Sequence, residues 1–183
     1  MSLLFLFLAF MSLSLPHSAI TDTPRLALTN PVFCYSNFMS MPAVEKIEAL
    51  LGYEFPGGRY TIAHWENFLL TECTGAGPLP EDLAHPIALF HVPILGAGTS
   101  IAEMFALGHA EPGVSIGIES SQWEFHQTLR EEVEYHVVGK ITAAERVNSE
   151  SRVYDRIQFR FDLSEDGEPV ASTFVTWNYR RTI

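Results

Sequence analysis

Between Ile87 and Gly108 the chain is apolar on every side, and from residue 114 its hydrophobic period changes to two. A helix that is hydrophobic all round has to be buried, and strands with one polar face have to cover the other. Pro93 can open such a helix, and Ser100-x-x-Glu103 has the form of a capping box ahead of Met104, Phe105 and Leu107. Gly96, Ala97 and Gly98 lie inside the segment, so another backbone or a ligand is expected to approach closely there. Downstream, Ile116, Ile118, Trp123 and Phe125 alternate with polar positions. So do Val133, Tyr135 and Val137, and then Ile157, Phe159, Phe161 and Leu163. Asp166-Gly167 supplies a hairpin turn into a last strand over Val170–Tyr179. The spacing predicts an α+β domain in which an antiparallel sheet of at least four strands wraps a central buried helix over 93–107.

Short helices come first. Val44, Ile47, Leu50 and Leu51 form one stripe after Ser40-Met41-Pro42 and before Gly52. After a Pro56-Gly57-Gly58 turn, Thr61 reads as the cap of a second helix with Trp65, Phe68, Leu69 and Cys73 on one face, stopped by Gly75. Residues 75–86 (GAGPLPEDLAHP) are loop. Leu3–Leu15 is an apolar run of signal-core length, too short to span a bilayer; no positive side chain precedes Arg25, and the small-residue site at His17-Ser18-Ala19 is poor. The expectation is a loosely structured or over-extended stretch over 1–40, a folded domain over 41–183, and a cytoplasmic protein, with secretion or anchoring the alternative if residues 1–20 are a true signal.

The 183 residues carry 22 acidic against 11 basic side chains, a net charge of −11, which disfavours nucleic acid as a partner. Eight of the bases follow residue 119. Arg146, Arg152, Arg156, Arg180 and Arg181 can therefore meet an anionic ligand group or pair with neighbours such as Glu145, Glu150 and Asp155. Cys34 and Cys73 read as two buried thiols. Seven histidines include no His-Glu-x-x-His, so no metal or other cofactor is expected. His64 and His136 read as solvent-facing; His126 reads as a strand-end residue or one facing an acyl tunnel. Gly98-Thr99-Ser100-Ile101-Ala102 only superficially suggests a nucleophile elbow, and Gly96-x-Gly98 lacks a third glycine.

A sheet wrapped round a helix is the hotdog architecture. From Leu51 onward the chain resembles the MaoC-like (R)-specific enoyl-thioester hydratase and dehydratase family. The likeness rests on Gly52-Tyr53, Pro56-Gly57, Tyr60-Thr61, Trp65-x-x-Phe68 running into Thr74-Gly75, and the buried helix. It continues in Gly139-Lys140-Ile141, Glu145-Arg146, Asp155-Arg156-Ile157 and Val170-Ala171-Ser172. The resemblance implies an acyl thioester on coenzyme A or an acyl carrier protein as ligand, and an acid–base pair acting around a water. In the family that pair lies in an Asp-x-Asn-Pro-x-His loop; here Ala76 and Pro80 stand at the Asp and His positions. Asp82, His85 and His91 are the candidate catalytic replacements, His85 or His91 as base and Asp82 as proton partner. The alternative is that Asp82 is a solvated loop charge and His85 caps a backbone carbonyl. Expected partners are the thioester and, through sheet edges, a second copy or a related hotdog subunit. A non-catalytic acyl-binding partner subunit and a hotdog thioesterase are the rival functions.

Overall fold

The computed structural model describes residues 41–80, 82–111, 114–149 and 152–182; the expectations for residues 1–40, Cys34 and Glu150 lie outside them. Helix α1 (Val44–Glu48) precedes strand β1 (Gly58–Thr61), α2 (His64–Thr74), a 3₁₀ turn (Pro86–Phe90), α3 (Val92–Gly96) and α4 (Ile101–Leu107). Four long strands follow: β2 (Ile116–Phe125), β3 (Glu134–Asn148), β4 (Val153–Glu165) and β5 (Glu168–Arg180). All pairings are antiparallel, in the order β1-β3-β4-β5-β2. No helix among the described residues is long and apolar enough to cross a membrane.

The period-two pattern works as expected in the middle of the sheet. Tyr135, Val137 and Ile141 of β3 and Ile157, Phe159, Phe161 and Leu163 of β4 are buried, with Trp177 and Tyr179 of β5 beside them. Each such large side chain removed from water contributes about 2 kcal/mol. The β4–β5 turn has Asp166 at φ 51° and Gly167 at φ 86°, the doubly left-handed geometry a two-residue hairpin prefers. Edge strand β2 is different, because most of it is exposed on both faces, Ile118 and Phe125 included.

The central helix departs from expectation. It is not continuous over 93–107: Gly98 turns left-handed at φ 70° and splits it into α3, which is buried, and α4, of which only Met104 is fully buried. The close backbone approach that the small residues foretold is found at the same place. A Cβ on Gly96 would meet Val137 Cγ2 at 2.5 Å and Tyr60 Cβ at 3.2 Å, while a Cβ on Gly58 would meet the Gly96 carbonyl at 2.8 Å. Strands β1 and β3 therefore fill the space beside α3. Gly96→Ala should cost about 1–3 kcal/mol through overpacking, read as a lower urea midpoint at unchanged m-value. Ser100 does cap α4, its hydroxyl accepting from the Glu103 N–H at 3.2 Å.

Two further expectations are corrected, the Thr61 cap and the buried Cys73, and α2 turns out to direct its apolar stripe away from the core. Gly58–Thr61 is an edge strand paired with β3 (Gly58 opposite Val137), so Thr61 caps nothing and Ala63 occupies the N-cap of α2. The apolar face of α2 points outward: Trp65 is 61% and Phe68 57% exposed, and the buried positions are Asn67 and Thr71. Cys73, on the outward side, is exposed rather than buried.

Candidate functional site

Three elements converge on one carboxylate. Glu66 is the third residue of α2, and its side chain returns to the Ala63 N–H, the backbone half of a capping box without a Ser or Thr at the cap. Tyr60, at the end of β1, donates its hydroxyl to Glu66 Oε1 at 3.0 Å. His91, between the 3₁₀ turn and α3, is hydrogen-bonded through Nε2 to the same oxygen, and the Tyr60 ring meets the imidazole edge-on with centroids 6.2 Å apart. The His91 and Glu66 side chains are 11% and 12% exposed.

The electrostatics fix the protons. Burial pushes the Glu66 carboxyl upward, but the bond and charge of His91, the Tyr60 hydroxyl and the Ala63 amide outweigh it and hold the group below the usual 4.5. Burial, then the charge and hydrogen bond of Glu66, raises the Tyr60 phenol far above its usual range. At neutral pH Glu66 is thus an anion and Tyr60 a protonated donor. A carboxylate can only accept, so the proton in the His91–Glu66 bond belongs to Nε2. Glu66 has a folded value below its unfolded one, so the stability it contributes is complete above about pH 4.5 and is lost as pH falls through the folded value. Wild-type urea midpoints should therefore drop on acidification below that point, and Glu66→Gln, weaker at neutral pH, should flatten the drop.

The three residues singled out from sequence have different bonding partners. His91 is in the cluster just described. His85 is the N-cap of the 3₁₀ turn: Nδ1 accepts from the Ile87 N–H at 3.1 Å, and Nε2 faces Thr74 Oγ1 at 3.3 Å. Thr74 already donates to the Thr71 carbonyl, so Nε2–H is the donor to Thr74. His85 thus caps an amide rather than a carbonyl. Asp82 is exposed in a left-handed conformation (φ 67°); its carbonyl accepts from the Glu131 N–H, and its side chain bonds neither His85 nor His91. The loop bearing both is clamped by buried Asn67, which donates to the Leu83 carbonyl and Glu131 Oε2 and accepts from the His85 N–H.

Pro93 proves to be the second residue of α3 rather than its first; it offers no N–H at either place, and the His91 N–H before it is taken by the Ala88 carbonyl. Most of the arginine supply is used internally. Arg146 and Arg181 share Asp155, and Arg156 pairs with Glu119 and Glu145, leaving the exposed Arg152 and Arg180 outside these pairs. His64, His126 and His136 are all exposed. Among the described residues no three His, Cys, Asp or Glu side chains come together as metal ligands.

Sequence reasoning missed Glu66 and Tyr60. The available signal was a glutamate three residues into a helix, on the flank of α2 away from Trp65 and Phe68 and at the edge of its buried side.

The architecture is shared with solved structures. The HadBC (3R-hydroxyacyl-ACP dehydratase) complex of Mycobacterium tuberculosis superimposes with a TM-score of 0.53 at 13% identity, covering 70% of this chain and 96% of that one. The ChsH1–ChsH2 complex of the same organism gives 0.54 at 12%, covering 74% and 88%. This chain has the hotdog fold. A monoamine oxidase regulatory protein from Archaeoglobus gives 0.52 at 10%, covering 73% and 92%. No family model matches the sequence, and no curated protein matches it. At these identities the hotdog likeness speaks for the fold alone.

Proposed function

We infer that this hotdog protein is a hydro-lyase of the MaoC-like type, acting on a 2-enoyl or 3-hydroxyacyl thioester of coenzyme A or an acyl carrier protein. The observation that carries the reading is the largely buried imidazole–carboxylate pair His91–Glu66 on a fold shared with a 3R-hydroxyacyl-ACP dehydratase. In hydration the pair accepts one proton from water as the water oxygen bonds C3 and the double-bond electrons move toward the thioester carbonyl. The pair then returns one proton to C2 and ends as it began. Dehydration is the reverse. Asp82 and His85 lie on the clamped loop, bonded to other groups or to solvent, and this reading assigns them no proton.

The exposed, ten-residue edge β2 carries neither Lys nor Pro to protect it, which supports pairing with a second copy or a related hotdog subunit in the cytoplasm. The second reading, a non-catalytic acyl-binding partner of an active subunit, draws on Ala76 and Pro80 at the family's dyad positions.

Purified protein mixed with crotonyl-CoA, longer enoyl-CoA esters and their carrier-protein forms should bleach the absorbance of the conjugated thioester. Binding without bleaching would favour the partner subunit, and release of free thiol a thioesterase. Neither binding nor turnover with any thioester would overturn the assignment.

A further inference from the structure

We propose that Tyr60 is a positioning residue for the His91–Glu66 pair, an inference that rests on the hydro-lyase reading. Its hydroxyl and the His91 ring nitrogen bond the same carboxylate oxygen, Glu66 Oε1, while its ring lies edge-on to the imidazole. Two donors sharing one oxygen compete for its electron density, so Tyr60 sets how strongly Glu66 pulls on the His91 proton. Three features hold Tyr60 in place. Strand β1 is paired residue for residue with β3, Tyr60 standing opposite Tyr135. Gly96 leaves room for the Tyr60 Cβ, which a side chain there would crowd. The phenol itself remains protonated across the neutral range, so the donor to Glu66 Oε1 is constant.

Among the described residues, the groups facing Glu66 are Tyr60 from β1, His91 from the segment before α3, and the Ala63 amide of its own helix. Removing the Tyr60 hydroxyl and removing the Glu66 charge should therefore act on His91 in opposite senses. That sign pattern separates tuning from plain structural support.

The full chain, labelled with ¹⁵N-histidine, is compared with Tyr60→Phe and Glu66→Gln by proton NMR of the His91 Nε2–H. In Tyr60→Phe the resonance should move further downfield, because Oε1 then serves one donor; in Glu66→Gln it should move upfield. In the enoyl-CoA assay Tyr60→Phe should lower kcat about tenfold, the scale of one hydrogen bond to a charged group, with KM unchanged. An unmoved resonance, a shift in the same direction in both variants, or kcat and KM changing together would overturn the proposal. Should Tyr60→Phe fail to fold, fluorotyrosine placed at position 60 keeps the shape and strengthens the donor, and the His91 proton should then move upfield. If the wild type hydrates no thioester, the hydro-lyase reading fails while the two NMR shifts still decide the role of Tyr60.

Discussion

Replacing Asp155 with alanine should cost about 3–5 kcal/mol of folding stability, a large share of the roughly 5–15 kcal/mol a domain has in total. Asp155 is completely buried. It accepts from Arg146 Nε at 2.6 Å and Nη2 at 3.0 Å, and from Arg181 Nε at 2.7 Å. The Arg181 side chain is itself fully buried and also donates to the Gly108 and His109 carbonyls at the end of α4, while Arg146 reaches the Pro42 carbonyl before α1. Without the carboxylate Arg146 loses its bidentate partner and Arg181 is left with Glu111 Oε1 at 3.9 Å, both at low dielectric, and the ties from the sheet to α4 and to Pro42 before α1 weaken together. Urea unfolding measures the loss. Removing all three charges at once, with apolar residues of similar volume, should cost less than removing Asp155 alone, because the penalty lies in the unpaired charges and not in the absence of the network.

The largest effect on activity is expected from His91→Ala, which should lower enoyl-thioester hydration about 10²- to 10⁴-fold, the usual contribution of a positioned acid–base group. His85→Ala is the contrasting variant. It removes the cap of the 3₁₀ turn, so stability should fall by about 1 kcal/mol while kcat stays close to wild type. A fall in kcat after His85→Ala as deep as that after His91→Ala would return the chemistry to the loop of Asp82 and His85. Equal, small effects from both would favour the non-catalytic partner subunit.

What was legible in the sequence was what local pattern controls. Alternation along β3 and β4, Asp166-Gly167, the Gly75 stop (φ 70°) and the Ser100 cap all depend on residues within a few positions of one another. What was not legible depends on distant partners. Gly58–Thr61 is too short to show a period and becomes a strand only because β3 lies alongside. Apolar spacing along α2 marks a face without saying that it turns outward; the inward face is polar because Asn67 clamps the loop at Leu83 and His85. The arginines could equally meet a phosphate or neighbouring acids until register placed Arg146 opposite Asp155 and Glu145 opposite Arg156. His91 was picked out for its position before Pro93, but its partner lies 25 residues back and reads, locally, as an ordinary first-turn glutamate.

The claim on which the functional reading depends is that an acyl thioester reaches the Glu66–His91 pair. It is tested most directly by titrating ¹⁵N-histidine-labelled protein with a saturated acyl-CoA, which binds without reacting. The side-chain resonances of His91 should shift in step with binding while those of exposed His64 and His109 stay in place. Saturable binding that leaves His91 unmoved would contradict the claim and place the ligand elsewhere on the fold.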